Sequence, residues 1–286
     1  MDRLNDVDKN PATLGNEFRQ LLAGDFDRAR AALLIARIEY PELDPRHSIL
    51  RLDALASAVQ ARLHRRARAE DQVAMINTYL FAEQQYRGND ANYYDPRNSC
   101  LNAVLDRKIG IPLTLSLLYM EIGRRLGLNN EGIAFPGHFL VRVACKRGLI
   151  VLDPYNGGET LAEAELRLRL AHSRGADYAE SAAIAEILVP ASGKEILLRM
   201  LANLKQIYLQ AGETDKAIAV ITLALIVNPD AAIEWRDRGL LYRQVEAFRA
   251  ALGDLSHYVA LKPDAEDGEV VRHLLMELHA INARFN

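Results

Sequence analysis

Residues 136–158 read PGHFLVRVACKRGLIVLDPYNGG, and this stretch decides the fold. HFLVRV alternates apolar and polar residues, GLIVL is an apolar run, and ACKRG joins them, so a β-hairpin is expected. With the turn centred on Lys146 and Arg147, Leu140 faces Asp153, and His138 points to the same side as Leu140. His138 and Asp153 then become diagonal neighbours, about 7–8 Å apart between backbones, which long polar side chains can bridge. A slip of one residue would put them on opposite faces. A carboxylate beside an imidazole fixes its tautomer and raises its basicity, as in the second and third members of a Cys-His-Asp triad. The plainer alternatives are a structural histidine and an aspartate that organises the Pro-Tyr-Asn-Gly-Gly turn. Asn156, Gly157 and Gly158 either line the same cleft or form that turn alone.

A helix precedes the hairpin. GIPLTLSLLYMEIGRRLGL has Pro112 in its first turn, an apolar stripe of Leu115, Leu118, Ile122 and Leu126, and Gly127 at its end. Before it, LNAVLDRK forms a shorter helix that Asn98 or Ser99 can cap. Cys100 stands at its start, where a helix dipole and an imidazolium lower a thiol pKa. Cys100 is therefore the candidate nucleophile, with His138 as base and Asp153 as orienting group. The alternative is a small half-buried side chain. Cys145 sits at the hairpin turn and is read as inert or solvent-facing. Tyr93 and Tyr94, in GNDANYYDPRNS, are read as packing residues.

Residues 17–87 carry Leu, Ile and Ala at helical spacing, broken by Pro41 and Pro45. The cluster His64, Arg65, Arg66 and Arg68 reads as the solvated face of an Ala-rich helix rather than a binding patch.

The last ninety or so residues are helical again and repetitive. Tyr208 and Tyr242, Ala217 and Ala251, and Pro229 and Pro263 are each 34 apart. That is the tetratricopeptide period: Tyr in the first helix, a small residue at the helix crossing, and Pro ending the second helix. Trp235, Gly239 and Ala224 fill further positions, whereas Tyr258 stands where a small residue is usual. EVVRHLLMELHAI is expected to cap the stack.

The chain has 286 residues, half of them apolar, and a formal charge of −3 from 35 basic and 38 acidic residues. This supports neither nucleic-acid binding nor a membrane-surface role. The start is polar, and no run approaches the roughly 20 apolar residues of a membrane span. The two cysteines have no metal spacing, so a reduced, cytoplasmic protein is the simple reading. There is no GxxxxGK[ST] and no HExxH, and no cofactor or metal is expected.

NYYDPRNS, GIPLTLSLLYMEIGRRLGL, PGHFLVRV, DPYNGG and RDRGLLYRQ together resemble the SirB-type family of bacterial proteins. The resemblance implies a mainly helical α+β fold. A transglutaminase-like (papain-like) domain of the "core 2" variety, with a small antiparallel sheet, would span residues 1–188, including an N-terminal helical extension. A tetratricopeptide-repeat region would span 189–286, with repeats at about 198–231 and 232–265 plus a capping helix. The family has no settled biochemical activity. In active transglutaminase-like enzymes the nucleophile opens the long helix in a Gly-x-Cys start. Here Gly110-Ile111-Pro112 stands at that start, so proline replaces the cysteine. Thr114 and Ser116 lie on the same helix, past its first turn. Two readings remain. One is a non-catalytic or regulatory protein that binds a protein or peptide partner through the repeats. The other is a cysteine-dependent acyl-transfer enzyme, of peptidase or transglutaminase type, using Cys100, His138 and Asp153.

Overall fold

The fold is that of a computed structural model, which describes residues 11–146 and 148–284. The chain forms two compact units. One runs from Asp27 to Met200; the other joins the segment ending at Phe26 to the segment starting at Leu201. The division falls twelve residues after the boundary expected at 188 because residues 189–200 stay with the sheet. Pro190 bridges Ile133, and Ala191 N donates to Gly132 O at 2.8 Å.

The first helix, α1 (Pro11–Leu21), belongs to the second unit. In the Asp27–Met200 unit, α2 (Arg28–Ala36) starts where the Asp27 side chain accepts from Arg30 N at 2.9 Å. Its Ala, Leu and Ile residues from Ala31 to Ala36 are buried, so α2 runs through the core. Asp44 caps α3 (Pro45–Gln60), with Pro45 at the position whose N–H would go unused. Helix α4 (Ala69–Asn77) follows and widens into a π-turn over Thr78–Glu83. The cluster His64, Arg65, Arg66 and Arg68 does not lie on a helix face as expected. It occupies the exposed connection between α3 and α4, where Asp71 accepts from Arg68 N at 2.9 Å and starts the next helix.

Strand β1 (Arg87–Gly88) pairs in parallel with β2 (Ile109–Gly110). Between them lies α5 (Leu101–Arg107). Helix α6 (Pro112–Arg125) follows, buried from Pro112 to Gly123. The sheet is antiparallel, in the order β3 (Asn130–Ile133), β4 (Leu140–Cys145), β5 (Gly148–Asp153), β6 (Glu159–Thr160). Val141 pairs Leu152 and Cys145 pairs Gly148, the register expected for the hairpin. Arg147 of the expected turn lies outside the described residues. Helix α6 packs on β3 and β4. Helices α7 (Glu163–Arg174), α8 (Ala176–Ser181) and α9 (Ile184–Ile187) complete the unit, with Leu166 and Leu170 packed in one core with Ile133, Leu140 and Val151.

Helix α10 (Gly193–Ala211) contains the division between the units. Beyond it, α11 (Thr214–Val227), α12 (Ala232–Gln244), α13 (Phe248–Leu261) and α14 (Gly268–Arg284) form the repeats and their cap. Tyr208, Ala217 and Ala251 are fully buried, as the 34-residue spacing requires. A Cβ on Gly239 would lie 2.8 Å from Leu255 Cγ, so glycine is what lets α12 and α13 cross closely. Tyr258 is accommodated because its hydroxyl leaves the apolar crossing and donates to Asp267, just before α14. Helix α1 packs on α11. Among the described residues, no helix is long and apolar enough to cross a membrane.

Candidate functional site

Asp153 ends β5 and is fully buried. Its Oδ1 accepts from Tyr155 N at 3.0 Å and Asn156 N at 3.4 Å, which starts the short turn Pro154–Asn156. The same oxygen lies 2.9 Å from His138 Nε2. Its Oδ2 accepts from Asn156 Nδ2 at 2.7 Å and from Arg169 Nη1 of α7. Asp153 thus organises the turn and holds the histidine at once; the two readings of its sequence position are not alternatives. Burial pushes its carboxyl up, and the hydrogen bond and charge of His138, with the hydrogen bonds of Arg169 and Asn156, outweigh that, holding it down at about 2.

An ionised carboxylate only accepts, so His138 directs an N–H at it from Nε2, and the neutral form of the ring then has its lone pair on Nδ1. The ring is held edge-on to Tyr155, with centroids 5.8 Å apart. Tyr155 is fixed in turn by its hydroxyl, which donates to Asp90 Oδ1 at 2.7 Å, and by Gly88, where any Cβ would enter the phenol ring. Burial, then the Asp90 carboxylate, pushes the Tyr155 phenol up. The backbone of His138 is tied down separately. Its N–H donates to Phe135 O at 3.0 Å, and its carbonyl accepts from Arg199 Nη2 of α10 at 2.7 Å. The arrangement orients an imidazole with a basic nitrogen directed away from its carboxylate partner.

The positions expected of a nucleophile hold the following groups. Pro112 is the first residue of α6, buried and without a reactive atom. Thr114 Oγ1 donates to Asn98 O at 2.6 Å and accepts from Ile111 N at 3.1 Å. Ser116 Oγ donates to Phe139 O at 3.2 Å. Both hydroxyls are buried and serve the backbone. Cys100 is 1% exposed; its sulfur lies 3.5 Å from Pro96 O, and it packs with Ala36, Ala103, Tyr40 and Leu43. The expectation that Asn98 or Ser99 caps α5 is corrected: a 3-10 turn over Pro96–Ser99 precedes it, and Cys100 itself is the cap residue, without a side-chain capping bond. Cys145 Sγ lies 3.2 Å from Gly148 O at the hairpin end.

Asn98 has a different task. Its amide donates to Asn92 O at 2.8 Å and Tyr93 O at 3.2 Å, and its oxygen accepts from Asn89 Nδ2 at 3.1 Å. Asp95 beside it receives Arg97 and Arg107. The motif NYYDPRNS is therefore a hydrogen-bonded knot that leaves Tyr93 and Tyr94 exposed, 40% and 62%. Sequence reading did not find Arg169 or Arg199. Each meets the site from a helix distant in the chain, and only Arg169, four residues after Glu165, carried any local pattern, that of an ordinary helix-surface pair. Among the described residues, no group of three or more His, Cys, Asp or Glu side chains is set to hold a metal.

A His-Asp pair on a small antiparallel sheet packed against one buried helix is the arrangement expected of a transglutaminase-like domain. Residues 46–202 match the model of the transglutaminase-like superfamily, and residues 204–276 match a tetratricopeptide repeat. A UPF0162 protein of Xylella fastidiosa is 37% identical over 94% of this chain and 93% of its own length. A UPF0162 protein of Pseudomonas aeruginosa is 34% identical over 82% of this chain and 84% of its own length. Protein SirB1 of Salmonella typhimurium is 27% identical over 77% of this chain and 81% of its own length, in line with the SirB-type resemblance. The chain belongs to the transglutaminase-like superfamily, with a tetratricopeptide-repeat region behind that domain.

Proposed function

We propose that this chain is a non-catalytic, regulatory interaction protein of the cytoplasm, in which the transglutaminase-like unit keeps an oriented His138–Asp153 pair without a nucleophile. The observation that carries this reading is Pro112 at the start of α6, where an active member of the superfamily would present its thiol. Fold does not carry reaction, and the group that would attack an acyl carbon is missing from that position. The repeats supply the partner surface, since stacked helix pairs offer extended faces to proteins and peptides.

A second reading is supported by one observation: His138 turns Nε2 to Asp153, which leaves Nδ1 of a neutral ring to act as a general base would. It makes Cys100 the nucleophile of a cysteine-dependent acyl transfer. The two readings separate in iodoacetamide kinetics on a Cys145→Ser background, which isolates Cys100. A buried thiol packed on Ala36 and Tyr40 alkylates slowly, and His138→Ala leaves its rate unchanged. Fast alkylation well below about pH 8, abolished by His138→Ala, would overturn the non-catalytic reading.

A further inference from the structure

We propose that Arg199, together with the exposed Tyr93–Tyr94 pair, forms a recognition site for a carboxylate-bearing peptide beside His138. Four other half-buried arginines in this unit are matched to carboxylates: Arg107 to Asp95, Arg125 to Glu121, Arg142 to Glu131, Arg169 to Asp153. Arg199 is also half-buried, yet its hydrogen-bond partners are neutral carbonyls. Nη1 and Nη2 reach Phe135 O at 3.5 and 3.4 Å, and Nη2 reaches His138 O at 2.7 Å. Its guanidinium carbon lies 5.7 Å from the centre of the Phe139 ring. Among the described residues no carboxylate is within ion-pair distance. These bonds use three of the five guanidinium N–H groups, leaving donors for an anion. Burial without a counter-charge disfavours the cation and pushes the Arg199 pKa down, a cost that an incoming carboxylate relieves.

The second observation is aromatic. Burial pushes the Tyr93 phenol pKa up and the Arg199 charge opposes it, and both residues belong to the Asp27–Met200 unit. Tyr93 and Tyr94 meet edge to face, centroids 5.4 Å apart, on the loop whose carbonyls Asn98 holds. Two exposed tyrosines on a braced loop offer contact area at little ordering cost. A cation without a counter-charge, taken with such a pair, fits a carboxylate presented with apolar neighbours, hence a peptide rather than a small anion. The site lies wholly in the Asp27–Met200 unit and stands whether or not Cys100 is reactive.

The test is NMR titration of the full chain, read at the Arg199 Nε–H and at the Tyr93 and Tyr94 ring signals. Three probes are used: an acetylated, amidated Gly-Leu-Glu-Leu-Gly, the same peptide with Gln for Glu, and that Gln peptide with a free C-terminal carboxylate. A carboxylate probe should give saturable shifts at all three residues, and whichever of the two binds identifies the carboxylate as side-chain or terminal. The amidated Gln peptide should give none. Arg199→Gln should weaken binding at least tenfold, and Tyr93→Ala with Tyr94→Ala should weaken it severalfold. Equal binding by the amidated Gln peptide, or absence of shifts with both carboxylate probes, overturns the site. If Arg199→Gln does not fold, undiminished binding by the surface tyrosine double variant overturns it instead.

Discussion

His138 Nε2 lies 2.9 Å from Asp153 Oδ1, across fifteen residues of chain and one hairpin. The pairing follows from the strand register: Val141 faces Leu152, which places Leu140 opposite Asp153 and His138 one diagonal step away. The imidazole is 19% exposed and the carboxylate is not exposed at all, so the pair spans the boundary between core and solvent. Arg169 and the turn at Tyr155–Asn156 hold the buried end, while Arg199 and Tyr155 hold the exposed end.

Asp153→Asn should therefore destabilise the Asp27–Met200 unit. The substitution removes the charge that Arg169 and His138 share, and breaking a buried pair from one side costs about 3 kcal/mol. Arg169 retains Glu159 and Glu165, which limits the loss. A drop in Tm of roughly 5–10 °C is expected by calorimetry. A Tm unchanged within a degree would mean that the carboxylate contributes no net stability.

The same carboxylate sets an acid limit on stability. Its folded value, about 2, lies below the ordinary 3.8. Between those values the unfolded chain binds the proton and the folded chain does not, so acid favours unfolding. The contribution is fully present above about pH 4 and fades as pH falls toward 2; it amounts to about 2 kcal/mol. Urea midpoints of the wild type and Asp153→Asn should accordingly lie furthest apart above pH 4 and converge toward pH 2. A gap that stays constant over that range would exclude Asp153 as the titrating group.

How much of this was legible in the sequence varied with the range of the interaction. The hairpin register and the 34-residue spacing are local or periodic, and both could be read from residue types. Strands β3 and β6 could not: NEGI contains a glycine and two polar residues, and β6 has only Glu159 and Thr160. The basic cluster at His64–Arg68 misled because helical composition continues through a connection that Asp71 interrupts by capping. Arg199 was invisible because its partners are backbone carbonyls more than sixty residues away, which leave no pattern in residue type.

Gly239→Ala tests the repeat crossing. Alanine in a helix interior gains about 1 kcal/mol over glycine. Against this, the added Cβ would lie 2.8 Å from Leu255 Cγ and 3.2 Å from Asp254 Cβ, and Leu255 is fully buried. Overpacking of this kind costs about 1–3 kcal/mol, so the clash outweighs the propensity and a net loss is expected. The single tryptophan, Trp235, lies on α12 itself, so its fluorescence reports this unit during denaturation. A lower denaturant midpoint is the expected result. A higher one would mean that α12 and α13 separate without penalty.

Asn98→Ala should loosen the loop that carries the exposed tyrosines. Asn98 is fully buried, and its amide satisfies Asn92 O, Tyr93 O and Asn89 Nδ2. Removing it deprives the carbonyls of the exposed residues Asn92 and Tyr93, and the Asn89 amide, of these bonds, and water replaces them in part, so the cost is about 1 kcal/mol. The backbone of α6 remains tied to Asn98 through Thr114 Oγ1, so the disturbance should stay within residues 89–95. Hydrogen exchange should speed up at Asn92–Asp95 while the amides of β4 and β5 keep their protection. Equal acceleration in β4 would mean that the knot supports the sheet as well as the loop. Unchanged exchange at Tyr93 and Tyr94 would mean that Asn98 does not brace them.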